Sequence, residues 1–138
     1  MTVRVWSKGG AGADLVVRGA RVVDPQAKLD KVCDVLVKRG RIVAVGQSIE
    51  APEKTRVVAG AGRLLLPGFV DLHAHLRTPG HEDEEDLTTG SAAAAAGGYV
   101  ALFSMANTEP VIDSAPVLDG LAQQATGEAS VPTGFFAS

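Results

Sequence analysis

A chain of 138 residues with 46% hydrophobic and 21% charged side chains is long enough to bury a core and is not composed like a disordered segment. Its net charge of -3, with scattered lysines and arginines, gives no basic stripe for a nucleic-acid backbone and no polybasic cluster for a membrane surface. The expected partner is therefore a small molecule or another protein, in a cytoplasmic setting, since no run approaches the roughly 18 apolar residues of a membrane span and the first dozen lack the apolar stretch of a secretory signal.

Residues 1–12 read as an extension ahead of the first patterned segment. Residues 13–66 read as short strands at 15–18, 21–23, 32–38, 41–45, 55–58 and 63–66, each bounded by Gly, Pro or Asp, and together predict a small antiparallel β domain. Lys38-Arg39-Gly40 between two valine-rich runs is the clearest hairpin signal, because glycine reaches positive φ without steric cost. Cys33, the one cysteine, excludes an internal disulfide and reads as a small apolar strand residue.

The pattern changes at Pro67-Gly68. An apolar strand at 69–75 leads through a polar loop to a helix at 83–97, with Asp83 as cap, Glu84 to Asp86 in the first turn and Gly97-Gly98 as the stop. Leu87, Ser91, Ala94 and Ala95 would form its small-residue face. A strand at 99–105, a helix at 114–126 and a strand at 131–136 follow. The order β-α-β-α-β predicts a parallel α/β sheet, either doubly wound or the start of a (β/α)₈ barrel over residues 67–138. A barrel takes about 250 residues, and the chain stops at Ser138 where a covering helix is expected, so a truncated barrel is the expectation.

All three histidines, His73, His75 and His81, fall in one short stretch. Side chains alternate along a strand, so Asp71, His73, His75 and, if the extended run continues, Arg77 point to one side. Two neutral imidazoles at the carboxyl end of a first barrel strand are suited to one zinc ion. The alternative is that they are ordinary polar residues at a strand end; against it, a cation offsets the desolvation of Asp, His and His on one face of an apolar strand. His81, deeper in the acidic loop, reads as a solvated residue.

Pro67-Gly68-Phe69-Val70-Asp71-Leu72-His73-Ala74-His75-Leu76-Arg77-Thr78-Pro79-Gly80 resembles the signature of the dihydroorotases, within the amidohydrolase superfamily. Thr89-Gly90, the alanine run ending in Gly97-Gly98, and Met105-Ala106-Asn107-Thr108-Glu109-Pro110 follow in that family's order, and residues 13–66 resemble its small β domain. The resemblance implies a small amino-terminal β-sandwich-like domain followed by the first β/α units of a metal-dependent TIM-type barrel. It also implies that His73 and His75 are zinc ligands, with one or two zinc ions per full-length subunit, and that Arg77 and Asn107 hold the substrate carboxylate. A guanidinium fork and a side-chain amide suit an anion outside the reacting bond.

The activity that the resemblance implies is reversible hydrolysis of dihydroorotate to N-carbamoyl-L-aspartate in pyrimidine biosynthesis, with the general base and further ligands expected downstream and the fragment alone inactive. A homo-oligomer, or a complex with aspartate carbamoyltransferase, is the implied assembly. The competing readings are a hydantoinase (dihydropyrimidinase) or allantoinase, whose members generally lack the Arg77 and Asn107 pair, and a non-catalytic structural partner of aspartate carbamoyltransferase. Two departures bear on substrate positioning: Thr78 where the family usually has Glu, and Ala106 where it usually has Pro, whose loss would loosen the Asn107 loop.

Overall fold

Alternating valines drive the first half of the chain into a sheet. The computed structural model describes residues 3–9 and 12–138, which group into two units, 12–67, and 3–9 with 68–138. In residues 12–67, β1 (Leu15–Asp24), β2 (Leu29–Lys38), β3 (Arg41–Gly46) and β4 (Arg56–Ala59) lie in the order β3-β2-β1-β4, and β5 (Leu64–Leu65) also pairs with β1. The turn between β2 and β3 has Arg39 at φ 50° and Gly40 at φ 72°, the double left-handed conformation of the tightest hairpins. Val22, Cys33 and Val35 form the core, flanked by Val17, Leu29, Val37 and Leu65.

Two features differ from the expected antiparallel meander. The break expected near Gly19 is a bulge within one continuous strand: Gly19 at φ 65° absorbs the extra residue, and pairing with β2 resumes at Ala20. The sheet is also mixed, because β4 and β5 pair with β1 in parallel. β2 occupies one edge of β1, and the segment after β3 is long enough to return the chain to the other edge in the same direction. Arg18 and Gly19 N–H both bind the Asp34 carboxylate, as does Ile49 N–H.

In the second unit, β6 (Phe69–Ala74), α1 (Leu87–Ala96), β7 (Tyr99–Ser104), α2 (Ala115–Glu128) and β8 (Thr133–Phe135) alternate, and the strands pair in parallel as β6-β7-β8. Leu76, Leu87, Leu102, Ile112, Leu121, Ala125 and Val131 are buried together between sheet and helices. Among the described residues, no helix is long and apolar enough to cross a membrane.

Helix α1 starts later than expected. The cap is Asp86, not Asp83: its Oδ1 accepts Thr89 N–H at 2.7 Å, while Thr89 Oγ1 accepts Asp86 N–H at 3.4 Å. Residues 81–85 are consumed by turns, with His81 N–H donating to Arg77 O and Glu84 N–H to His81 O, so no acidic residue lies in the first helical turn. The Thr89 amide and hydroxyl hold the Asp86 carboxyl below its ordinary range. Of the expected small-residue face, Leu87 and Ser91 are buried and Ala94 packs on the core, but Ala95 is exposed.

Residues 3–9, read from sequence as an extension, are joined to this second unit. Trp6 exchanges two backbone hydrogen bonds with Thr133, at 2.9 and 2.8 Å, and its ring lies 6.0 Å from that of Phe135. Lys8 N–H donates to Ala129 O. A single bridging residue has no periodicity to announce it.

Candidate metal and substrate site

Strand β6 ends at Ala74, whose carbonyl accepts Met105 N–H at 2.9 Å. Leu76 is buried to 3% exposure beneath α1, where Gly90 leaves it room: a Cβ at Gly90 would stand 2.5 Å from a Leu76 methyl. His75 is thus held between two fixed neighbours and is itself exposed. His73 is exposed too, and its N–H donates to Asp71 Oδ1 at 2.9 Å.

The two imidazoles lie side by side, their centroids 5.2 Å apart and their planes at 68°. Strand alternation accounts for this, but it stops before Arg77. The extended run does not continue there: Arg77 has φ 62°, a left-handed turn that directs its guanidinium to Glu84, with Nε 3.0 Å from Oε2.

Asn107 stands on the loop after β7, and its Oδ1 is 2.9 Å from His75 Nδ1. The structure therefore brings Asn107 to a histidine and Arg77 to a glutamate. The loops carrying them are tied together, because Glu109 N–H donates to Pro79 O at 2.9 Å and Gly80, at φ 103°, lies directly against Glu109. The alanine at 106 leaves this loop anchored, since Thr108 is buried and its hydroxyl donates to Pro110 O at 2.8 Å while its N–H reaches Ala106 O. Thr78 is buried as well, at 2% exposure, and its hydroxyl has no hydrogen-bond partner among the described residues.

Glu84 and Gly80 are the parts of the site that the sequence does not announce. Glu84 reads as a helix-terminus charge until the helix is seen to start beyond it. Gly80 is seen in sequence only as the end of the Pro67–Gly80 run, and its packing against Glu109 depends on a loop far away in the chain. His81 is exposed and joins the turn through its backbone.

The histidine pair fits a zinc ion. Zinc–nitrogen bonds of about 2.0–2.1 Å at a tetrahedral angle put two ligating rings with centroids about 5 Å apart, which matches the observed separation. With Oδ1 of Asn107 facing Nδ1 of His75, that ring's other nitrogen is left for a metal. Among the described residues, no cluster of three or more His, Cys, Asp or Glu side chains is arranged to hold an ion.

A family model described as Dihydro-orotase-like matches residues 62–133, the stretch that holds His73, His75, Arg77 and Asn107. The chain is similar to a dihydroorotase of Geobacter metallireducens, 41% identical over 118 residues covering 86% of this chain and 28% of the relative. It is 51% identical over 105 residues to a dihydroorotase of Mycobacterium tuberculosis, covering 76% of this chain and 24% of that protein. The chain thus spans about a quarter of the length of the curated relatives it matches. Among solved structures, it resembles a dihydropyrimidinase of Brevibacillus agri (28% identity, TM-score 0.75, covering 90% of this chain and 27% of that one). It also shares the fold of an L-hydantoinase of Arthrobacter aurescens (23% identity, TM-score 0.79, covering 91% and 28%).

Proposed function

This chain belongs to the dihydro-orotase-like family, and on that premise we propose that the whole protein is a zinc-dependent dihydroorotase, interconverting dihydroorotate and N-carbamoyl-L-aspartate. The observation that carries the reading is one of placement. His73 and His75 lie at the carboxyl end of β6 and Asn107 follows the carboxyl end of the adjacent parallel β7, the end at which barrel enzymes build their sites. Residues 67–138 are accordingly read as the opening units of a TIM-type barrel, preceded in sequence by a small β domain at 13–66.

His73 and His75 would hold one or two zinc ions with ligands from elsewhere in the whole protein. When bound, zinc supplies Lewis acidity, polarising an amide carbonyl and bringing the pKa of a water near 7. Arg77, always cationic, offers charge-assisted hydrogen bonds to the carboxylate outside the ring. With Nε turned toward Glu84, the terminal Nη groups are the ones free to face that anion. Anchoring the carboxylate on two tied loops fixes the ring's orientation relative to the histidines, which is where a positioning site lowers a barrier. Proton transfer to the leaving nitrogen belongs to a residue outside this chain.

The solved dihydropyrimidinase that the chain resembles favours one alternative, a cyclic amide substrate without the carboxylate. Arg77 and Asn107 favour the acidic substrate. Turnover of dihydroorotate, hydantoin and allantoin by the whole protein separates the two, and preference for hydantoin would displace the present reading. His73→Ala or His75→Ala should lower zinc content, and a variant with full zinc would remove the ligand assignment. A cytoplasmic, homo-oligomeric enzyme, or one docked on aspartate carbamoyltransferase, is the setting that accompanies this activity.

A further inference from the structure

The geometry points to a role for Asn107 beyond the carboxylate contact already proposed for it: its carbonyl oxygen fixes the tautomer of His75. The inference rests on the reading of His75 as a zinc ligand, and it makes Asn107 a positioning residue as well as a binding one.

Asn107 Oδ1 lies 2.9 Å from His75 Nδ1. An amide oxygen only accepts hydrogen bonds, so the ring nitrogen facing it carries the proton, and the lone pair of the neutral ring falls on Nε2. Partners of this kind orient a ligating imidazole. The contact is delivered from a fixed backbone. Thr108, next in the chain, is buried at 5% exposure, and Glu109 N–H is bonded to Pro79 O.

Asn107 itself is exposed, and with Oδ1 facing the ring, the Nδ2 hydrogens are the ones left for an anion. Among side chains, only Asn and Gln join an acceptor oxygen to an NH₂ donor at one planar centre, and asparagine is the shorter. Aspartate would supply the acceptor with no donor. An anion bound at Nδ2 and a ring bound at Oδ1 would share one amide, and successive hydrogen bonds through a polarisable group reinforce one another. Substrate binding and ligand orientation are thereby linked through a single side chain.

The two roles separate by substitution in the whole protein. Asn107→Asp keeps an acceptor for His75 and puts negative charge where the carboxylate would sit. Asn107→Ala removes both contacts. The expected result is that N107D retains its zinc affinity, measured by chelator competition, but shows a raised KM for dihydroorotate. N107A should show the same raised KM together with zinc affinity weakened by about 10- to 100-fold, the usual effect of losing such a partner.

Nitrogen NMR of the metal-free protein gives an independent readout: His75 should carry its proton on Nδ1, and N107A should shift the ring toward the other tautomer. Unchanged zinc affinity and tautomer in N107A would overturn the inference, as would equal zinc loss in N107D and N107A. Absence of zinc from the unaltered protein would instead remove the functional reading, and the ring tautomer would still decide whether Asn107 sets His75.

Discussion

Glu84 holds the Arg77 guanidinium by its Nε, 3.0 Å from Oε2, with about a third of the arginine side chain exposed. An ion pair this open to water contributes about 0–1 kcal/mol to stability, so its consequence is orientation. Arg77→Ala in the whole protein should lower kcat/KM for dihydroorotate by roughly tenfold to a hundredfold, the loss of one charge-assisted contact. Arg77→Lys should recover only part of this, because an ammonium cannot present the fork. Glu84→Gln should leave the melting temperature nearly unchanged and affect kcat/KM less than Arg77→Ala. Steady-state kinetics of the three variants is the check, and normal kinetics in Arg77→Ala would remove the assignment.

The parts of this site readable in sequence are those set by short-range rules. Strand alternation puts the rings of His73 and His75 side by side, and the change of period after Pro67 marks where parallel β-α units begin. The features that the sequence hides depend on partners distant in the chain. Period-two patterning is the same for parallel and antiparallel strands, so the pairing of β4 and β5 with β1 has no signature. Asp83 has the right side chain for a cap, but Asp86 is the cap, where Thr89 completes a reciprocal pair with it. The left-handed turn at Arg77 and the approach of Asn107 to His75 likewise involve loops far apart in the chain.

Thr78 presents a case in which a less polar side chain should be harmless. Its hydroxyl is buried without a partner among the described residues, and an unsatisfied buried group costs about 1–3 kcal/mol. Thr78→Val keeps the shape and removes the orphaned oxygen, so stability should hold or rise by up to about 1 kcal/mol in chemical denaturation. A loss of more than about 1 kcal/mol would mean that the hydroxyl is in fact satisfied.

Asp34 makes the β unit sensitive to acid. The Arg18 hydrogen bond, then the Gly19 and Ile49 N–H groups, hold its carboxyl below the ordinary range, against an opposing desolvation. A carboxylate with a lowered folded-state pKa stabilises the protein fully above the unfolded pKa, about 3.9 for aspartate. That contribution fades as pH falls below this value and is gone once pH has passed the lowered folded pKa. Asp34→Asn should therefore be less stable at neutral pH and show a shallower loss of stability on acidification. Identical pH profiles for the two proteins would contradict the assignment.

Gly80 offers the most direct test of whether the two loops that carry Arg77 and Asn107 act together. It has φ 103°, and a Cβ added there would stand 2.2 Å from Glu109 O, a backbone atom that cannot rotate away. Gly62 is the natural control, since it also has positive φ, 73°, but open space around it. Gly62→Ala should cost only the left-handed conformation, about 1 kcal/mol. Gly80→Ala must also push the loops apart, breaking the Glu109 N–H to Pro79 O bond that ties the loop of Arg77 to the loop of Asn107. It should melt at a lower temperature than Gly62→Ala and, unlike that control, raise KM for dihydroorotate. If both variants keep the parental KM, the loops do not depend on each other, and the anchoring of Arg77 and Asn107 has to come from their separate strand ends.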